Sequence, residues 1–120
     1  MTRSRVAISQ AIMIIALLGV PTAAQQVVRA GRDVPPPRPV RHVDAVYPEA
    51  AKAAGVSGVV IIETKIATDG SVAEAGILRS IPLLDEAALD AVYQWAYEPT
   101  VLNGEPVEVL MTVTVNFALN

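Results

Sequence analysis

With 120 residues, no cysteine and a single histidine, the chain has room for one small domain and none for a multidomain enzyme. The missing thiols exclude disulfides, thiolate metal sites and thiol nucleophiles, so stability rests on packing alone. The formal charge of −3 is unevenly spread, since three bases face eleven acids from Val43 onward, a surface that disfavours nucleic acid because phosphate binding needs clustered cations.

Arg3 and Arg5 precede an apolar run from Ala11 to Val20, and Pro21-Thr22-Ala23-Ala24 follows it. This is the order of a secretory signal peptide, with cleavage expected after Ala24. Counted from Val6 to Ala24, the stretch comes close to the roughly 20 residues of a bilayer span, so an N-terminal membrane anchor over 1–24 is the alternative. Either way the remainder is exported, and the arginines hold the N-terminus on the cytoplasmic side.

Residues 25–42 carry Arg29, Arg32, Arg38 and Arg41 around Val34-Pro35-Pro36-Pro37, with Asp33 the only acid. That composition favours polyproline II, resists packing and reads as a Pro/Arg-rich linker reaching roughly 55 Å at about 3.1 Å per residue. A folded domain is expected over 43–120.

The domain opens at Tyr47-Pro48-Glu49, where Pro48 suits a first helical turn, Glu49 its positive end and Gly55 a left-handed stop, predicting a short helix over 48–54. Two β-rich runs then flank Thr68-Asp69-Gly70-Ser71 and read as a hairpin. Val60, Ile62, Thr64 and Ile66 share one face, with Glu63 and Lys65 on the other. In the second strand Val72 is out of step with Ala75 and Ile77, which predicts a bulge near Ala73 and Glu74.

Leu84, Ala88, Ala91, Val92 and Trp95 form one helical stripe within a helix expected over 83–95, and Asp85 and Glu86 complement the dipole of its first turn. The stripe provides a lid for a one-sided sheet, with Trp95 sealing its C-terminal end. Tyr97 begins an extended crossing segment, Pro99 stops the helix, and Asn103-Gly104 marks a tight turn. From Val107 to Leu119 the odd positions are apolar and the even ones mostly polar, which predicts a long strand with one buried face. Since the helix reverses the chain, this strand should lie antiparallel beside 59–67 rather than beside 72–80. The expected fold is thus α+β: a three-stranded antiparallel sheet, hairpin plus C-terminal strand, covered by a helix and preceded by a short one.

No constellation for catalysis emerges. His42, the only histidine, sits beside the linker, Ser57 and Ser80 lack a nearby base, and no phosphate-cradling Gly pattern occurs. Asp85 and Glu86 point about 100° apart on a helix, a poor geometry for paired acid–base work. The reading is a non-enzyme without catalytic, cofactor or metal residues.

Tyr47-Pro48, Gly58 before a β-run, Asp69-Gly70, Leu84-Asp85 with Ala88, Trp95-Ala96-Tyr97-Glu98-Pro99 and Asn103-Gly104-Glu105-Pro106-Val107 together resemble the C-terminal domain of the TonB family of energy transducers, over roughly residues 43–119. The resemblance implies a periplasmic binding module. Its final strand would contact the TonB box, a short extended segment of outer-membrane TonB-dependent transporters. It also implies coupling to the ExbB/ExbD motor complex where the N-terminal segment is retained, although family members have longer spacers than this chain. By the same resemblance Tyr47, Pro48, Gly70, Leu84, Trp95, Tyr97, Pro99 and Gly104 are structural. The partner-binding edge is expected at Leu110, Thr112, Val113, Thr114, Val115 and Asn116, working by β-augmentation. The alternative is an envelope structural or assembly protein that self-associates, as a homodimer, through the same edge; a small carboxylate enzyme is a third class.

Overall fold

The computed structural model describes residues 26–119, so the expected signal peptide or anchor over 1–24 lies outside the described residues. In chain order the elements are β1 (Val27–Arg29), β2 (Pro39–Arg41), α1 (Glu49–Ala53), β3 (Gly58–Ile66), β4 (Val72–Arg79), α2 (Pro82–Val92), β5 (Ala96–Tyr97), β6 (Thr100–Leu102) and β7 (Glu105–Phe117). The main sheet runs β1-β7-β3-β4, with β6 paired to the start of β7.

The antiparallel centre is the expected hairpin plus the last strand. β7 pairs with β3 in unbroken register from Gly58↔Phe117 to Ile66↔Val109, and β3 pairs with β4 on its other side. The bulge falls where the parity of the side chains demanded it: Lys65 opposes Glu74 but Ile66 opposes Val72, leaving Ala73 as the extra residue. A second bulge, not anticipated, leaves Leu78 between Ile77 and Arg79, and its side chain is exposed.

Val60, Ile62, Thr64 and Ile66 from β3 join Val107, Val109, Val115 and Phe117 from β7 on the buried face. Thr64, the one buried polar side chain of this core, donates its hydroxyl to the Met111 carbonyl at 2.7 Å, which removes the cost of burying it. Helix α2 covers the face over β3 and β4 and buries Leu84, Ala88, Ala91 and Val92, the expected stripe. Its first turn starts with Pro82, and the Asp85 carboxylate accepts the Ile81 N–H at 2.8 Å.

Three details correct the sequence reading. First, α2 ends at Val92 and not at Trp95; successive tight turns, with Gln94 N–H on Ala91 and Trp95 N–H on Val92, carry the chain round. Trp95 is buried as expected, but it reaches the core from a turn, and the chain is extended well before Pro99. Secondly, Pro48 stands just outside α1 with extended geometry (φ −66°, ψ 140°), and Leu119 lies exposed past the end of β7. Thirdly, the stretch read as a linker is partly built into the fold. Val27–Arg29 adds a parallel strand to β7, and Pro39–Arg41 pairs with β5. The prolines at 35–37 lie between these strands, outside both ladders, where their missing N–H groups cost no ladder bond.

The turns hold this arrangement together. At the β3–β4 hairpin Gly70 takes φ +92°, and its carbonyl accepts the Tyr97 N–H at 2.8 Å, clamping the hairpin onto β5. Asn103 and Gly104 both take positive φ (53° and 81°), the conformation that a two-residue connection between β6 and β7 needs.

Candidate functional site

A sheet covered on one face has two edges, and the β4 and β7 sides of this one differ. The β4 edge is broken by its two bulges, and the N–H of Ala75 is taken by the Tyr93 hydroxyl at 3.1 Å. Such an edge is poorly shaped to accept another strand. Among the described residues the β7 edge has no such protection over its second half.

The direction of the β7 backbone groups follows from its neighbours. On the β1 side the Glu108 N–H donates to Gln26 and the Leu110 carbonyl accepts from Ala30, at 3.1 and 3.0 Å. Groups two residues apart point alike along a strand, and the β3–β7 register has no bulge to change this. The N–H and C=O of Thr112, Thr114 and Asn116 therefore point to the same outer side, where no strand pairs with them among the described residues. The free stretch from Thr112 to Asn116 spans about 17 Å at roughly 3.4 Å per residue.

The six residues expected at this edge thus divide. Thr112, Thr114 and Asn116 are exposed and present free backbone groups. Val113 and Val115 direct their backbone toward β3 and their side chains toward the core, so they shape the edge without offering it bonds. The Leu110 carbonyl is already taken by Ala30.

Side chains flank the free edge on both faces. On the open face of the sheet, Glu63 accepts from Arg29 of β1 and from the Thr112 hydroxyl, the latter at 2.9 Å. The Arg29 guanidinium above all, and the Thr112 hydroxyl after it, hold the Glu63 carboxyl below its ordinary range against partial desolvation. On the side of Trp95 a cleft of about 350 Å³ is lined by His42, Asp44, Ala45, Trp95, Thr114, Val115 and Asn116. The Trp95 indole N–H donates to the Val43 carbonyl at 2.8 Å, the partner a buried indole requires. The His42 ring lies 4.6 Å from that of Trp95, and its Nε2 is 3.4 Å from an Asp44 carboxylate oxygen.

Sequence reasoning missed His42 and Asp44. Over fifty residues separate them from Trp95, and no local pattern joins the two segments. Of the residues expected to be structural, Tyr47 donates its hydroxyl to the Val56 carbonyl and stands edge-on to Phe117 at 5.5 Å. Leu84 and Tyr97 are buried, while Pro99 is exposed between β5 and β6. Among the described residues no group of three or more His, Asp or Glu side chains is placed to hold a metal ion, and no helix is long and apolar enough to cross a membrane.

Comparisons with known proteins bear on this architecture. A family model described as "Gram-negative bacterial TonB protein C-terminal" matches residues 43–119. The Protein TonB of Xanthomonas campestris pv. campestris (strain B100) is 38% identical over 76 residues, covering 62% of this chain and 34% of that protein. The Protein TonB of Vibrio cholerae serotype O1 is 32% identical over 75 residues, covering 61% of this chain and 31% of its own length. The chain thus spans about a third of the length of these relatives. The solution NMR structure of the Pseudomonas aeruginosa TonB C-terminal domain superposes with a TM-score of 0.58 at 31% identity, over 68% of this chain and 85% of that one. With the matched region covering the hairpin, the lid helix and the whole of the last strand, the chain belongs to the TonB C-terminal domain family.

Proposed function

We propose that this domain binds an extended segment of an outer-membrane TonB-dependent transporter by strand addition along Thr112–Asn116 of β7. The observation that carries the reading is the contrast between the two sheet edges: one blunted by bulges and the Tyr93 hydroxyl, the other offering free N–H and C=O groups. In strand addition backbone bonds supply affinity and flanking side chains supply selectivity. The His42–Trp95 cleft and the Glu63–Thr112 pair are the flanking groups here.

On this reading the domain works in the periplasm. Residues 1–24 act as a cleaved signal or as an inner-membrane anchor, and an intact anchor adds the ExbB/ExbD complex as a partner in energy-coupled transport. N-terminal sequencing of the exported protein with membrane fractionation decides between the two.

The docking test uses Thr114→Pro and Asn116→Pro. Each removes an outward N–H and leaves the β3 ladder untouched. Titration against a synthetic TonB-box peptide, with circular dichroism as a control for folding, should show binding to the parent and its loss in both variants. Folded variants that bind like the parent would move the partner site elsewhere. A parent that ignores the peptide at millimolar concentration but dimerises with rising protein concentration would support the second reading, self-association through the same free edge.

A further inference from the structure

β1 does to β7 what a docking strand would do. Val27–Arg29 runs parallel to β7, with Val27 opposite Glu108, Val28 opposite Val109 and Arg29 opposite Leu110. Val28 is buried in the core while Arg29 reaches across the open face to Glu63. The strand is only three residues long, and the chain leaves the edge at once through a turn at Gly31 (φ +88°). In that turn the Asp33 carboxylate accepts the Arg29 N–H at 2.8 Å. The arm therefore fills an edge without presenting a good edge of its own, and the prolines that follow cannot donate.

Resting on the docking reading above, we propose that residues 26–34 are a displaceable plug. They occupy the first part of the β7 edge, and a partner strand that evicts them gains the stretch from Glu108 to Leu110 in addition to Thr112–Asn116. The contacts left by the arm specify the chemistry of a segment suited to this subsite: it runs parallel to β7, places a β-branched residue over Val109 in the seat of Val28, and carries a cation one position later to meet Glu63. Short parallel pairing is a weak hold, which makes the arm replaceable.

The register supplies a reversible test, because the chain has no cysteine of its own. Val27 and Glu108 are direct partners across the β1–β7 ladder, so Val27→Cys with Glu108→Cys in the full chain locks the arm when oxidised and frees it when reduced. The first probe is a synthetic peptide of residues 26–34, followed by NMR at the Leu110 and Thr112 amides. Shifts are expected in the reduced form and not in the oxidised one. No shift in the reduced form at millimolar peptide, or equal shifts in both, overturns the proposal. The second probe is the TonB-box peptide: an arm closed nine-tenths of the time weakens apparent affinity about tenfold relative to the open state, so reduced protein should bind better than oxidised. Equal affinity in both forms overturns the plug and leaves the docking reading standing. Should only the 26–34 peptide bind, the plug stands and the transporter assignment fails. Val28→Ser, which loosens the arm without a crosslink, should tighten TonB-box binding in the same direction, with Trp95 emission reporting an intact fold.

Discussion

Gly70 and Gly104 both hold positive φ, yet substitution by alanine should affect them very differently. A Cβ on Gly104 meets nothing within 4 Å, whereas one on Gly70 would lie 1.9 Å from the Tyr97 carbonyl oxygen, a backbone atom that no rotamer change can move aside. Both variants incur left-handed strain of about 1–2 kcal/mol. At Gly70 the hairpin must also withdraw from β5. This breaks the 2.8 Å bond from Tyr97 N–H to the Gly70 carbonyl, a loss of about 1 kcal/mol, rising to about 3 where the N–H stays buried without a partner. Gly70→Ala should therefore cost about 2–5 kcal/mol and Gly104→Ala about 1–2. Urea denaturation read by the emission of Trp95, the sole tryptophan and a buried one, measures both in the same chain. Costs equal within about 0.5 kcal/mol would show that the hairpin does not rest on β5 and would refute the close approach.

Trp95→Ala should destabilise the domain by about 3–5 kcal/mol through lost burial. Trp95→Phe should cost less, keeping much of the packing while leaving the Val43 carbonyl without its donor; thermal melts of the two compared with the parent check the order. Because the folded pKa of Glu63 is lowered, its ionised form stabilises the fold above the unfolded value near 4.5, and that contribution is lost as pH falls through the folded pKa. The stability advantage of the parent over Glu63→Gln should shrink between about pH 5 and pH 3, and a difference independent of pH across denaturation curves would count against the Arg29–Glu63 pair. Tyr93→Phe removes the hydroxyl that occupies the Ala75 N–H, and should cost about 1 kcal/mol while raising concentration-dependent association through the β4 edge. Light scattering that matches the parent would show that the bulges alone protect that edge.

Much of this protein is determined locally by its sequence. The alternation in β7, the helical stripe from Leu84 to Val92, the Asn103-Gly104 turn and even the bulge at Ala73 follow from side-chain period and backbone chirality, which act over a few residues. The exposed faces of Thr112, Thr114 and Asn116 were legible for the same reason. The end of α2 was not: Trp95 continues the stripe in sequence, but the indole N–H finds its acceptor at Val43, and the chain turns early to bring it there. Nor could composition tell that Val27–Arg29 leaves the proline-rich stretch to join the sheet. That pairing depends on an open edge at Glu108–Leu110 and on Glu63 in another strand to receive Arg29, partners 34 to 81 residues away. The position of His42 and Asp44 beside the free stretch of β7 has the same origin. Local periodicity states which face each strand buries; only the assembled sheet decides which edge remains free and what lies against it, because edges and clefts are made by segments whose sequences carry no sign of one another.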